Sequence, residues 1–551
     1  MNLKNIFVLN AFAAALAGCG SNGDVNIDAS KASDDNSTVI NNPDVSGPTT
    51  DTNPCASYAV DGTTFKGSFD GADCVYLAKF ADLDKPITSD ITLAEIPGVH
   101  LFKGSLMIGK NYSSDADLAA AGITQGGDAA TLTIEPGVTV AFESKDNYLV
   151  INRGAQIMAK GTALNPITIT SKSDIEGNVA FNDVSQWGGM IINGFGITNK
   201  CDYSDYSISD AAITTSNCHV EAEGKSGVGT THYGGANNAD SSGVLEYFIV
   251  KHTGAEVGAG NELNGISFDA VGSGTSVNYL QAYSTYDDGI EMFGGAVNIN
   301  HYVALYVRDD SIDIDEGYQG TIDHALVIHS QDNGNRCVES DGIGSYDSKT
   351  EDFKQKLISQ GLNSRATIKN LTCITSAIEK GTHDPSQGIR AREGHFLTLQ
   401  NALVTSAYAA DSDPAEKDAT HNFCFNLNNT EDQAAAQAGD LSVKGSIFVC
   451  QDLTSGKSLP NGTTVEAWLS AEASNQLLQV DTEDAGIDLN TSNLAILDGF
   501  YSLPVSDMTI NGNVTTATPV DADHIGAVTK ANDWTQDWTF GLHDGEPLWF
   551  N

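Results

Sequence analysis

Between Ser242 and Asp341 the chain writes one short hydrophobic pattern over and over, and this repetition constrains its fold more than any other feature. Ile266, Ile290, Ile314 and Val338 follow one another at intervals of 24 residues. A second pattern, apolar-polar-polar-apolar, is interleaved with them. It reads Leu245-Glu-Tyr-Phe248, Val277-Asn-Tyr-Leu280, Ile299-Asn-His-Tyr302 and Ile322-Asp-His-Ala325. It returns as Ile368-Lys-Asn-Leu371, Leu399-Gln-Asn-Ala402 and Val443-Lys-Gly-Ser446. Short runs at a fixed period, separated by Gly, Asp and Asn turns, mark a solenoid whose coils pack only on their neighbours. Helical solenoids need longer repeats with a 3.6-residue period, whereas these runs alternate with period two. The expected fold is all-β, a right-handed parallel β-helix.

Charge narrows the function classes. Acidic residues number 72 against 28 basic ones, a formal net charge of −44. Such a surface repels nucleic acid and anionic headgroups and attracts divalent cations.

The chain opens with Lys4 and a mostly apolar run from Ile6 to Ala17, ending Leu16-Ala17-Gly18-Cys19. The run is short for a membrane span and has the form of an export signal. Its end resembles the bacterial lipobox, which implies cleavage after residue 18 and acylation of Cys19. Several acyl chains on one cysteine anchor a protein stably. Gly20 in place of Asp implies, by the same resemblance, sorting to the outer membrane. Residues 19–54 are rich in Asp, Asn, Ser and Thr and read as a flexible tether. Residues 55–129 read as an N-terminal cap, 130–452 as the β-helix and 453–551 as a C-terminal cap. Within these segments Asp115 to Ala121 and Thr463 to Asn475 have helical character, and Tyr346 to Arg365 is an excursion with an amphipathic helix.

Eight cysteines remain besides Cys19. In an exported chain this favours disulfides, and no CxxC spacing supports a thiolate metal site. Eight cysteines allow 105 connectivities. Loop length favours the neighbouring couples Cys55/Cys74, Cys201/Cys218, Cys337/Cys373 and Cys424/Cys450.

Several segments carry a wider resemblance: Trp187-Gly-Gly, Gly260-Asn-Glu-Leu-Asn-Gly265, Val271-Gly-Ser-Gly-Thr275, Asp287-Asp-Gly-Ile-Glu-Met-Phe-Gly294, and the terminal Ile-Gly-Ala527 with its Trp-Thr pairs. Over roughly residues 130–540 the chain resembles right-handed β-helix lipoproteins and secreted proteins of marine bacteria, of pectate-lyase-like architecture. The resemblance implies fold and location.

Chemistry is expected on the outward side of the 24-residue register. If the four aliphatics point inward, Glu291, Asp315 and Glu339 point outward, in coils ~4.8 Å apart. Asp313 and Asp341 fall on the same side, with Asp288 in the adjoining turn. Adjacent carboxylates repel, by about 1 kcal/mol in water and several-fold more in a poorer dielectric. Asp288, Glu291, Asp313, Asp315, Glu339 and Asp341 are therefore candidate ligands of Ca²⁺, which takes 6–8 oxygens. A purely solvated acidic face stays open as an alternative.

Glu291, Asp315 and Glu339 with Arg308, Arg336 and Arg390 also supply the parts of a lyase that acidifies a uronate proton, or of a two-carboxylate glycosidase. The Gly-His-Gly and Arg-Ile-Lys companions of polygalacturonases are absent, as are P-loop, zinc and Ser-His-Asp signatures. His301 and His324 recur at one place in the second pattern and read as a polar strand position. Trp534, Trp538 and Trp549 could close the last coil or form a sugar-stacking platform. The leading expectation is an outer-membrane lipoprotein whose acidic face captures an extracellular ligand, carbohydrate first. It would serve as an adhesin or as the accessory of an outer-membrane uptake protein. The alternatives are a polysaccharide lyase or hydrolase, and an accessory for uptake of hydrophobic compounds.

Overall fold

Period-two alternation buries one side of each strand, and a chain that repeats it can satisfy its backbone only by pairing each coil with the next. The structure, a computed structural model, describes residues 53–548 apart from 82–84, 204–216, 225–228, 257–261, 332, 377–385, 408–421, 451, 480–500, 511–512 and 544–547. Cys19, the expected signal, Trp549 and all of the expected tether but Asn53 and Pro54 lie outside the described residues.

Two large sheets of parallel strands make a right-handed parallel β-helix. Nine strands form the first sheet. In chain order its central members are Gly189–Asn193, Ile266–Asp269, Ile290–Phe293, Ile312–Asp315, Arg336–Asp341 and Gln387–Arg392. The second sheet holds 18 strands. Its longest members are Gly243–Lys251, Ser276–Tyr283, Asn298–Leu305, Thr321–Ile328 and Thr367–Ser376.

All four aliphatics of the expected register are interior, fully shielded from solvent. Their stacking differs from expectation. Ile266 pairs with Ile290, but Ile290 pairs with Ile312, a coil of 22 residues. Asp313 then pairs with Glu339, which sets Ile312 opposite Val338 after a coil of 26. Ile314 belongs to the neighbouring interior column with Phe268 and Met292. A two-residue shift preserves the inward phase, so alternation alone could not reveal it.

The second pattern has a backbone cause. Tyr247, Tyr279, His301, His324, Asn370 and Asn401 all have φ between 48° and 58°, and Gly445 has φ 63°. Each bends its coil at one corner through the left-handed region, where Asn and Gly sit readily and aromatic residues rarely do. Stacking offsets the strain. Tyr247 lies on Tyr279 with centroids 4.3 Å apart, Tyr279 on His301 at 4.4 Å and His301 on His324 at 5.1 Å. His301 and His324 are thus corner residues rather than members of a flat strand. Burial pulls His301 down to about 4, with His324 adding to it, so the stack holds a neutral ring. Trp538 and Trp534 pack edge-on or tilted against Tyr279, and both are buried. They cover the flank of the middle coils rather than the last coil, and neither is a sugar platform.

A second corner is held by side chains reaching one coil forward. Asn264 Oδ1 accepts the Asp288 N–H at 3.2 Å, Asp288 Oδ1 the Asp310 N–H at 3.0 Å, and Asp310 Oδ1 the Arg336 N–H at 2.6 Å.

The four expected cysteine couples are all bonded: Cys55–Cys74, Cys201–Cys218, Cys337–Cys373 and Cys424–Cys450. Cys337 and Cys373 lie on different sheets and join them through the interior. Besides forming its expected bond to Cys201, Cys218 makes contacts that loop length does not reveal. Cys218 is buried with Ile197, Tyr203 and Ile343 in a small apolar cluster under the excursion that follows residue 193. Its carbonyl accepts Arg153 Nη1–H at 3.2 Å, and the Tyr203 hydroxyl lies 3.6 Å from its sulfur. Cys218 therefore ties the excursion to the body of the β-helix through Arg153, besides closing a loop on Cys201.

Parallel rungs run upstream of residue 130, since Cys74–Tyr76 pairs with His100–Phe102 and Ile91–Leu93 with Thr131–Ile134. They also run past residue 452, where Gln476–Gln479 pairs with Ile447–Cys450. Helices form at Asp115–Ala121, Glu351–Gln360 and Val465–Ala471, capped by the side chains of Ser114, Thr350 and Thr464.

The register assigns Ile312 to the middle of the main interior column. Ile312→Ala should cost about 2–5 kcal/mol, the usual range for a core cavity. Chemical denaturation checks this, and a loss below about 1 kcal/mol would remove Ile312 from the core.

Candidate functional site

The outward residues of the nine-stranded sheet form two columns. Ser267, Glu291, Asp313, Glu339, Arg390 and Asn426 pair in succession along one. The other runs Asn193, Asp269, Phe293 and Asp315, with Asp341 and Arg392 paired further along. The expected ladder of Glu291, Asp315 and Glu339 is therefore corrected. Asp313 takes the middle rung, because the 22-residue coil moves Asp315 into the second column.

This face is not an open, solvated ladder. Asp288, Glu291, Asp310, Glu339 and Asp341 are buried, while Asp313 and Asp315 are half-buried. The cover is the excursion that follows residue 193, and Glu316 fastens it. That carboxylate is fully buried and accepts Thr198 Oγ1–H and Tyr233 O–H, each at 2.7 Å, while pairing with Lys200. Asn199 adds bonds from Nδ2 to the carbonyls of Gly342 and Leu362.

Among the described residues two groups of acids could hold a cation. Oxygens of Asp288, Asp310 and Asp313 lie within 4.8 Å of one another, as do those of Glu262, Asp287 and Asp309. Arg308 belongs to the second group, stacked on the Tyr286 ring at 4.6 Å from its centroid. It does not join the other arginines. Those close the far end of the ladder around Glu339. Arg336 Nη1 lies 3.2 Å from Oε1, Arg390 Nη1 3.4 Å from Oε1 and Arg392 Nη2 2.9 Å from Oε2. Arg392 also binds Asp341, and Arg336 reaches Asp310 at 3.3 Å.

Away from that end the described cations do not balance the acids. Burial, with neighbouring carboxylates adding, raises Asp287, Asp288, Glu291, Asp310, Asp313 and Asp315 well above the ordinary range. Burial pushes Glu223 up to about 7 against the pull of Lys200, and Glu393 up to about 7 with Asp341 adding. Asp341 is pushed up to about 6 by burial despite Arg392. Such a cluster invites a proton or a hard cation, and its all-oxygen donors suit Ca²⁺.

Sequence reasoning missed Glu223 and Lys200, which stand outside the repeat, and Asp269, which lies within it but faces the excursion. The Tyr233-Gly-Gly turn was the available signal for the first, since it brings the excursion back onto the sheet. A separate cavity of about 670 Å³ lies in the N-terminal cap, lined by Tyr58, Val60, Phe65 and Pro86 with Lys85 and Lys110.

Stacked parallel coils with an acid-lined lateral face define a right-handed β-helix protein. The chain belongs to the pectate-lyase-like β-helix domain family, whose model matches residues 111–539. No curated protein and no solved structure matches it.

The raised carboxyls give a signed pH dependence. A carboxyl with a raised folded-state pKa contributes stability that is complete below its unfolded value near 4 and is lost as pH rises through the folded value. For Asp341 that loss begins near 4 and is complete above about 6, and for Glu223 and Glu393 it is complete above about 7. In chelator, the melting temperature should fall steadily from about pH 5 to about pH 8. A flat or rising profile would contradict the burial described for these groups.

Proposed function

We propose that this chain is an outer-membrane lipoprotein, anchored through Cys19, whose acidic face binds Ca²⁺ and through it an extracellular carbohydrate. It acts as an adhesin or as the accessory of an outer-membrane uptake protein. The observation that carries the reading is the uncompensated carboxylate pair Glu291–Asp313, adjoined at the corner by Asp288 and the Arg336-paired Asp310, on the outer face of a rigid stack. Ca²⁺ held by a few carboxylates keeps free positions, and hydroxyl and carboxylate oxygens of a glycan are ligands of the same hard type. Half-buried Asp313 and Asp315 are the groups best placed to present such an ion. Arg390 and Arg392, each about a quarter exposed, share a coil beyond that of Glu339 and could receive an anionic substituent there.

Location rests on the lipobox-like sequence ending at Cys19. Among the described residues no helix is long and apolar enough to cross a membrane.

Glu339 within reach of three arginines also gives the lyase reading specific support, with an arginine as base and a Ca²⁺-held uronate as acid. Those arginines are engaged by Glu339, Asp341 and Asp310, and an engaged guanidinium positions charge more readily than it removes a proton. Binding is therefore preferred to catalysis.

The full chain carrying Cys19→Ser, screened against glycans and polysaccharides with and without Ca²⁺, tests the proposal. Binding should need Ca²⁺ and fall at least about tenfold, or 1.4 kcal/mol, in Glu291→Gln with Asp313→Asn. Binding indifferent to both would sink it. Unsaturated-product absorbance on any uronate polymer would instead establish the lyase.

A further inference from the structure

Beneath the excursion, a short run of buried polar side chains lacks hydrogen-bond partners among the described residues. Asn193 and Asp269 are register partners on adjacent coils of the nine-stranded sheet. Each follows an inward residue, Ile192 and Phe268, so each points away from the core. Asp269 is fully buried, and neither of its carboxylate oxygens meets a described donor. Asn193 is equally enclosed, and neither Oδ1 nor Nδ2 is satisfied by a described residue. One coil earlier, the pairing of Ile151 with Ile192 sets Asn152 opposite Asn193. Asn152 gives Nδ2 to the Gly109 carbonyl at 2.9 Å and leaves Oδ1 unpartnered.

The site is walled on its outer side. Phe293 follows Asp269 in the column, and the buried Tyr233 ring lies 6.3 Å from it. The Gly234 N–H donates to the Gly194 carbonyl at 3.0 Å, which seats Tyr233 beside Asn193. Tyr233 belongs to a two-stranded hairpin, Val220–Glu221 with His232–Tyr233.

Buried amides and carboxylates almost always have partners, and a group of orphans in one place calls for a ligand. The donor set says which kind. Apart from one amide nitrogen the orphans are oxygens: two carboxylate and two amide carbonyl. Adjacent coils stand ~4.8 Å apart. Side chains stacked on neighbouring coils at that spacing can share one ion, and the orphan oxygens are of the kind Ca²⁺ takes. The surroundings add negative charge, since Asp269 faces Glu316 and Glu223 with Lys200 as the opposing cation. A proton on Asp269 would supply a single donor to the three remaining orphan oxygens.

We propose that Asp269 and Asn193, backed by Asn152, form a sealed structural Ca²⁺ site that clamps the paired strands Val220–Glu221 and His232–Tyr233 onto the β-helix, with water completing the shell. The site is separate from the Glu291–Asp313 column and does not rest on the function proposed above.

Metal analysis of the full chain carrying Cys19→Ser, Glu291→Gln and Asp313→Asn tests it, because the outer column is then disabled. After brief EDTA treatment and desalting, the protein should retain a single Ca²⁺. Adding Asp269→Asn, which keeps the side-chain shape, should abolish retention and increase proteolytic cutting within 195–240. Asn193→Ala supplies the same comparison should Asp269→Asn fail to fold. Complete loss of metal before Asp269 is changed, or retention that survives both substitutions, overturns the proposal. A metal-free protein in which Asp269→Asn melts no lower would overturn it too, and assign these atoms to water alone. None of these results bears on Ca²⁺-dependent glycan binding by the chain with Glu291 and Asp313 intact.

Discussion

Everything in this protein follows from parallel strands laid in register about 4.8 Å apart. Backbone bonding between coils is indifferent to side chains, so each residue is placed directly above its counterpart one coil below. Inside, this stacks Ile on Ile without conflict. Outside, it stacks whatever the sequence supplies. At one corner that is Tyr on Tyr and His on His, whose attraction offsets a strained backbone. On the nine-stranded sheet it is carboxylate on carboxylate, and the same geometry becomes repulsive.

The protein answers that repulsion differently along its length. Around Glu339 it uses arginines from two coils, and the charges close among themselves. Around Glu316 it uses Lys200 and two hydroxyls, and so converts an acid into the fastening of a whole excursion. Between these points, at Asp288, Glu291, Asp313 and Asp315, the described residues offer no comparable counter-charge, and the carboxyls hold their protons far more tightly than in water. The region of unmet charge is where an external cation has most to gain.

Much of this is legible in the sequence, and the limits have physical causes. Period-two alternation at a fixed repeat defines the coils, and it gives the inward phase of Ile266, Ile290, Ile314 and Val338 correctly. Which residue lies above which is not legible, because coils of 22 and 26 residues average to 24 and a shift of two leaves alternation intact. The carboxylate face is therefore found while Asp313 and Asp315 exchange columns. The corner at Tyr279 and His301 is visible as a recurring pattern, yet a left-handed backbone leaves little mark when aromatic residues occupy it. Cysteine spacing reveals the bond of Cys218 to Cys201 but not the Arg153 contact that roots it in the coils. Glu223 and Asp269 are hidden for a related reason. Their roles depend on a non-repeating excursion folding back onto the sheet, and no local pattern encodes that contact.

The Asn264, Asp288, Asp310 corner has a direction. Each of these side chains accepts a backbone N–H from the coil after it. A finished coil thus carries a ready acceptor for the next, while the incoming coil needs to bring only its own amide. Such a structure templates its own growth from the N-terminal end, the order in which any chain is synthesised.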